Sequence, residues 1–147
     1  MTVVIDASVA AKWYFAEDGR EAAAGLRDRN DLTAPGILRV ELLGVVTKRH
    51  RRREIDDRTG DEIVWLLPSM PVRFVPDEAL LEQAYRASIG SRIGFQDALY
   101  VACALRFDAP LISGDERLLR ALRAMPTSVR AYSLQQIDAL PAAGPSA

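Results

Sequence analysis

The segment Val3-Val4-Ile5-Asp6-Ala7-Ser8 decides how the chain reads. Three β-branched residues closing on an acid, with a helix-compatible stretch directly after, make a short buried strand that feeds a helix. The pattern returns as Pro110-Leu111-Ile112-Ser113-Gly114-Asp115, again an apolar strand that meets an acid before an amphipathic helix. Further strands are predicted at Leu32-Thr33-Ala34, stopped by Pro35-Gly36, at residues 72–75 between Pro71 and Pro76, and at residues 129–132. Helices are predicted over residues 8–15, 19–29, 37–51, 56 or 57 to 67, 77–89, 95–107, 116–122 and 133–140. Ser8 and Asp77 stand where N-caps of the first and fifth of these belong. The helix over 77–89 sets Leu80, Leu81, Ala84 and Ala87 on one side. Short apolar strands alternating with helices imply an α/β domain, a parallel sheet with helices on both faces.

The composition fits one such domain. A chain of 147 residues holds one core and is too short for two ordinary domains; residues 1–140 are assigned to it and residues 141–147 to a disordered tail. At 49% hydrophobic and 27% charged residues it is neither disordered nor fibrous. Nineteen Lys and Arg against twenty Asp and Glu give a net charge of −1, which argues against a polycation that coats DNA. The single cysteine, Cys103, excludes an internal disulfide and a Cys-based zinc or iron–sulfur site, and suits a reducing compartment. The single histidine, His50, excludes a multi-histidine metal site and disfavours Ser-His-Asp chemistry. Polar chemistry must then rest on carboxylates, hydroxyls or arginines. No apolar run reaches the ~18–20 residues of a membrane span. The N-terminus lacks the basic and then apolar regions of a signal peptide. A cytoplasmic protein with no membrane partner is expected.

Most acids, such as Glu17, Asp18, Glu54, Asp61, Glu62 and Glu82, sit among polar neighbours and read as solvated surface. Four do not. Asp6 ends the first strand, which in a parallel sheet puts it at the carboxyl edge where ligand crevices form; alone it reads equally as a turn residue. Glu41 has Ile37, Leu38, Gly44 and Val45 as its helical neighbours and so points with an apolar face. A buried carboxylate is costly unless paired or metal-bound, and an arginine such as Arg39 or Arg92 is the structural alternative. Asp97, in Phe95-Gln96-Asp97-Ala98-Leu99-Tyr100-Val101, has mostly apolar neighbours, but also lies in a first helical turn, where the helix dipole favours an acid. Asp115 reads as an N-cap, yet it too is an acid at the end of a buried parallel strand. If the Asp6 and Asp115 strands are neighbours, both acids open into one crevice. Ser8 and Ser113 each lie two residues from one of these acids and can hold it or a metal-bound water.

Converging carboxylates cannot all be anions without counter-charge. An all-oxygen set selects Mg2+ or Mn2+ over zinc or copper. Metal-dependent hydrolysis of a phosphodiester is the natural chemistry, and it needs neither His nor Cys. Here the chain resembles the PIN-domain ribonucleases, specifically the VapC-type toxins of bacterial toxin–antitoxin pairs. The resemblance is carried by Val3-Val4-Ile5-Asp6-Ala7-Ser8-Val9-Ala10-Ala11-Lys12-Trp13, by residues 35–42 through Glu41, by Asp97-Ala98-Leu99-Tyr100-Val101-Ala102-Cys103-Ala104, and by Pro110-Leu111-Ile112-Ser113-Gly114-Asp115-Glu116-Arg117-Leu118. The family often has Thr at Ser113 and Ala or Leu at Cys103. The resemblance implies a PIN-like three-layer α/β/α sandwich with a five-stranded parallel sheet in order 3-2-1-4-5. It implies Asp6, Glu41, Asp97 and Asp115 as catalytic metal-binding acids, supported by Ser8 and Ser113, with Mg2+ or Mn2+ as cofactor. It also implies a homodimer, cleavage of structured RNA such as tRNA or rRNA, and a VapB-type antitoxin that binds in a heterotetramer or larger assembly.

The one dense basic run is Lys48-Arg49-His50-Arg51-Arg52-Arg53. Lys48, Arg49, Arg51 and Arg52 are candidate phosphate contacts, as is Arg92; helix C-terminal cations facing solvent are the plainer reading. Trp13, Tyr14 and Phe15 read as packing rather than base stacking. Two other classes were weighed. A receiver-type regulatory domain needs adjacent acids after strand one and a late Lys, whereas Ala7 and Ser8 follow Asp6 and no Lys lies beyond Lys48. A haloacid-dehalogenase-type phosphatase needs an Asp where Ser8 stands. A PIN nuclease outside a toxin–antitoxin pair also remains open.

Overall fold

In the computed structural model, which describes residues 1–140 and 142, five parallel strands form one sheet in the order β3-β2-β1-β4-β5. The expected tail, residues 141–147, falls almost entirely outside the described residues. The strands are β1 (Val3–Ile5), β2 (Leu32–Pro35), β3 (Arg73–Val75), β4 (Leu111–Ile112) and β5 (Ala131–Tyr132). The helices are α1 (Ala7–Ala11), α2 (Arg20–Arg27), α3 (Ile37–Arg51), α4 (Asp57–Leu66), α5 (Leu81–Ile89), α6 (Phe95–Arg106) and α7 (Glu116–Ala124). No helix among the described residues is long and apolar enough to cross a membrane.

β1 is the axis of the sheet. Val3, Val4 and Ile5 are each 0% exposed, and successive residues of a strand face opposite sides, so both faces of β1 are covered. On one edge Val3 pairs with Leu32; on the other Ile5 pairs with Ile112. The chain fills the sheet outward through β2 and β3, then crosses back to lay β4 on the opposite edge of β1. This reversal makes the carboxyl ends of β1 and β4 a topological switch point, where open α/β sheets place their ligands. The apolar helix α6 packs against β1, β2 and β4, with Tyr100, Ala102 and Cys103 buried.

Several boundaries differ from the sequence reading, for local reasons. The cap of α1 is Asp6, not Ser8: Asp6 is extended and its carboxylate accepts from the Val9 amide. Ser8 lies inside the helix. The segment expected as one helix over 77–89 breaks into a 3-10 turn at Asp77–Ala79 and α5 from Leu81. Leu80 is fully buried at the break, and Leu81 turns out to 45% exposure. The last helix is a 3-10 helix, Leu134–Ala139, held by a capping box between Ser133 and Gln136. Trp13 and Phe15 are buried as packing residues, and the Trp13 indole donates to the Ala23 carbonyl at 2.7 Å.

Asp77 caps a helix other than its own. Its carboxylate accepts from the Ile37 amide at 3.0 Å, satisfying the first turn of α3, whose own preceding residue is Gly36 and offers no side chain. Asp77→Ala should therefore destabilise the protein by about 1 kcal/mol in urea unfolding, with Asp77→Asn retaining most of that.

Candidate functional site

Asp6 lies where β1 passes into α1, and among the described residues every direct partner of its carboxylate is a neutral donor. Ser8 Oγ donates to one oxygen at 2.5 Å, the Val9 amide to the same oxygen at 3.2 Å, and the buried Ser113 hydroxyl to the other. The two serines are themselves fixed from the β4 side. The Gly114 amide donates to Ser8 Oγ at 2.7 Å and the Asp115 amide to Ser113 Oγ at 2.9 Å. The approach at Gly114 is close: a Cβ there would stand 3.1 Å from Ser8 Oγ and 3.3 Å from Lys12 Cε, so Ser8 would have to give by a few tenths of an ångström.

The other three acids line the same crevice, of about 810 Å3, from three different helices. Glu41 comes from α3, where it stands one turn after the buried Leu38 and is partly exposed. Its partner is not an arginine but Tyr100 of α6, whose hydroxyl donates to Oε2 at 2.5 Å. Asp97 comes from the first turn of α6. Asp115 is exposed and caps α7, accepting from the Arg117 and Leu118 amides at 2.8 and 3.3 Å. It is thus both the N-cap and the crevice acid that the sequence left as alternatives.

The acids act on one another. Burial pushes the Asp6 carboxyl up to about 6, its hydroxyl and amide donors opposing this and Asp115 adding to it. Burial raises Glu41, with the Tyr100 hydrogen bond opposing and Asp97 and Asp6 adding. Burial also raises Asp97, with Asp115 adding and Arg117 opposing. Asp6, Glu41, Asp97 and Asp115 therefore share one negative potential. Glu17 and Glu116 also line the crevice, against the cations Lys12, Lys48 and Arg117.

The donor set suits a hard divalent cation: all oxygen, anionic and short of counter-charge. Among the described residues, however, no three His, Cys, Asp or Glu side chains are grouped tightly enough to hold a metal ion as they stand. Glu41 is tied to Tyr100 and Asp115 to the α7 amides, so the four share a crevice rather than a closed cage.

The basic candidates divide. Lys48 lines the crevice, and Lys48, Arg51 and Arg52 line a second hollow beside it. Arg49 is engaged elsewhere: it pairs with Glu17 and Glu54, and its guanidinium lies 4.3 Å from the Phe15 ring centroid. Arg92 is exposed in the turn before α6 and does not line the crevice. Tyr100, Lys12 and Arg117 were not anticipated as site residues. For Tyr100 a signal existed, since it stands three residues after Asp97 and so on the same side of its helix.

Comparison with known proteins agrees with this architecture. The PIN domain model matches residues 3–123. Ribonuclease VapC12 of Mycobacterium tuberculosis is 30% identical over 119 residues, spanning 81% of this chain and 91% of that protein. The crystal structure of M. tuberculosis VapC20, described as a Sarcin-Ricin loop cleaving toxin, superposes with a TM-score of 0.64 at 17% identity, covering 88% of this chain and 99% of that one. A toxin-antitoxin complex from Klebsiella pneumoniae superposes with a TM-score of 0.62 at 12% identity, covering 88% and 99% of the two chains.

The raised Asp6 carboxyl has a consequence for stability. Its ordinary value is 3.8 and its folded value about 6, so the unfolded chain loses this proton first as pH rises. The stability present below pH ~4 is lost as pH climbs through about 6. Metal-free protein should therefore melt at a lower temperature at pH 7 than at pH 5. Asp6→Asn should flatten that fall and raise the pH 7 melting temperature, on the order of 5 °C. Calorimetry across the pH range measures both.

Proposed function

The chain belongs to the PIN-domain family, with VapC ribonucleases among its relatives, and we propose that it is a Mg2+- or Mn2+-dependent endoribonuclease toxin of a VapBC-type toxin–antitoxin pair. The observation that carries the reading is the convergence of Asp6, Glu41, Asp97 and Asp115 on one crevice at the sheet's switch point. These four acids would hold the cation. When bound, it supplies an activated water and charge stabilisation for the leaving oxygen of a phosphodiester.

The chain's own groups do the rest. Ser8 and Ser113 fix both oxygens of Asp6, so this ligand is preorganised from α1 and from the end of β4. Lys12, Lys48 and Arg117 line the crevice and offset its negative potential for an incoming phosphate backbone. Arg51 and Arg52 extend this basic side along the end of α3, and Arg92 is a more distant contact. Arg49 serves this surface only by way of Glu17, to which it is paired.

Structured RNA, tRNA or rRNA, is the proposed substrate, and a VapB-type antitoxin the proposed inhibitor. The latter is in line with the Klebsiella pneumoniae neighbour, which is a toxin-antitoxin complex. A homodimer, assembled with antitoxin into a heterotetramer or larger, and a cytoplasmic location complete the reading. The domain over residues 1–140 carries all of it.

Purified protein should cleave tRNA or rRNA only with Mg2+ or Mn2+, and EDTA should stop it. Asp97→Asn should lower the rate by at least about 100-fold at saturating metal, about 3 kcal/mol of barrier. Full metal-dependent cleavage by Asp97→Asn would overturn the assignment. Millimolar Mg2+ should also raise the melting temperature of the wild type, because it binds only the folded crevice.

A further inference from the structure

We infer that Tyr100 is the positioning residue for Glu41: its hydroxyl holds one carboxylate oxygen and leaves the other available to a divalent cation. The inference rests on the metal-binding reading of the four acids and adds a residue to it.

Glu41 has little else to hold it. It projects from α3 on the crevice side, where Gly44 lies one turn further on. A Cβ added at Gly44 would meet nothing within 4 Å. A glutamate left in such a space samples many rotamers, and a cation would have to arrest them on binding. Tyr100 removes that freedom beforehand, with an O–H···O distance of 2.5 Å to Oε2. The length suits a charge-assisted bond to a carboxylate.

The hydroxyl is itself well located. Tyr100 is 1% exposed, so packing of α6 on the sheet, not solvent, sets where its oxygen stands. Burial and the Glu41 charge hold the phenol well above its ordinary range, so it remains a neutral donor. One buried oxygen, placed by α6, thus fixes Glu41 of α3.

The alternative is that the pair only satisfies a buried hydroxyl. The two roles differ in what a ring-preserving change does. Tyr100→Phe keeps the packing and removes the donor; by positioning alone it should weaken Mn2+ binding about tenfold, as loss of an outer hydrogen bond to a ligand does. Mn2+ titration calorimetry on the wild type, Tyr100→Phe, Glu41→Gln and the double variant reads this as a cycle. The expected result is tenfold weaker binding in Tyr100→Phe, a metal-free melting temperature within a few degrees of wild type, and no further loss when Tyr100→Phe is added to Glu41→Gln. Wild-type affinity in Tyr100→Phe, or the same loss persisting in the Glu41→Gln background, overturns the role of Tyr100 and leaves the metal site standing. Absence of Mn2+ binding by the wild type overturns both. A measurement on the unaltered chain covers poor folding of the variant: Mg2+ should shift the ring NMR signals of Tyr100 and leave those of the exposed Tyr85 in place. Unmoved Tyr100 signals at saturating Mg2+ also overturn the role.

Discussion

A carboxylate held by two hydroxyls is the constraint on which the rest of this structure depends. Asp6 is buried at the end of the central strand, and among the described residues its carboxylate is bonded by Ser8, Ser113 and an amide. Neutral donors orient a carboxylate but do not neutralise it. The same bonds lock β1 to β4, because Ser113 and the Gly114 amide both belong to the β4 side. The join that closes the sheet at its switch point is therefore also the join that sets up an unbalanced charge. Fold and site share one set of bonds, and the remaining acids face an open crevice rather than a closed core.

Each further acid is presented by a helix whose own ends are tied into this frame. α3 carries Glu41 and is capped from β3's side by Asp77. α6 carries Asp97 in its first turn and Tyr100 one turn later. α7 begins at Asp115, whose carboxylate spends one oxygen on the helix amides. Asp97 and Glu41 are only partly exposed, so the negative potential is focused rather than dispersed into bulk water. The basic groups stand at the rim, chiefly Lys48, Arg51 and Arg52.

What could be read from the sequence was what neighbouring residues determine. The strands at Val3–Ile5 and Leu111–Ile112 announce themselves by composition, Asp6 and Asp115 by following them, and Glu41 and Asp97 by their mostly apolar helical neighbours. The strand order 3-2-1-4-5 came with the family resemblance, and the structure has it. What could not be read depends on partners far along the chain. Tyr100 meets Glu41 across 59 residues and Asp77 meets Ile37 across 40, and no local pattern encodes either. The cap of α1 was misassigned because Asp6 and Ser8 are both good capping residues two positions apart; only the structure shows which one is extended. Arg49 looked like part of a basic surface until Glu17 and the Phe15 ring turned it inward.

The crossing of the chain from β3 back to the far edge of β1 has a consequence in time. Synthesis proceeds from the N-terminus, so β1, β2 and β3 are complete while one edge of β1 is still bare. The backbone bonds that fill that edge, from the Val4 amide to the Pro110 carbonyl and from the Asp6 amide to the Ile112 carbonyl, await residues more than a hundred positions later. Loop closure over such a span is slow compared with local pairing. Until then Asp6 has one of its two hydroxyls, and Asp115 has not been made. A chain that ends before β4 therefore lacks Ser113 and Asp115, and its crevice is unfinished on that side.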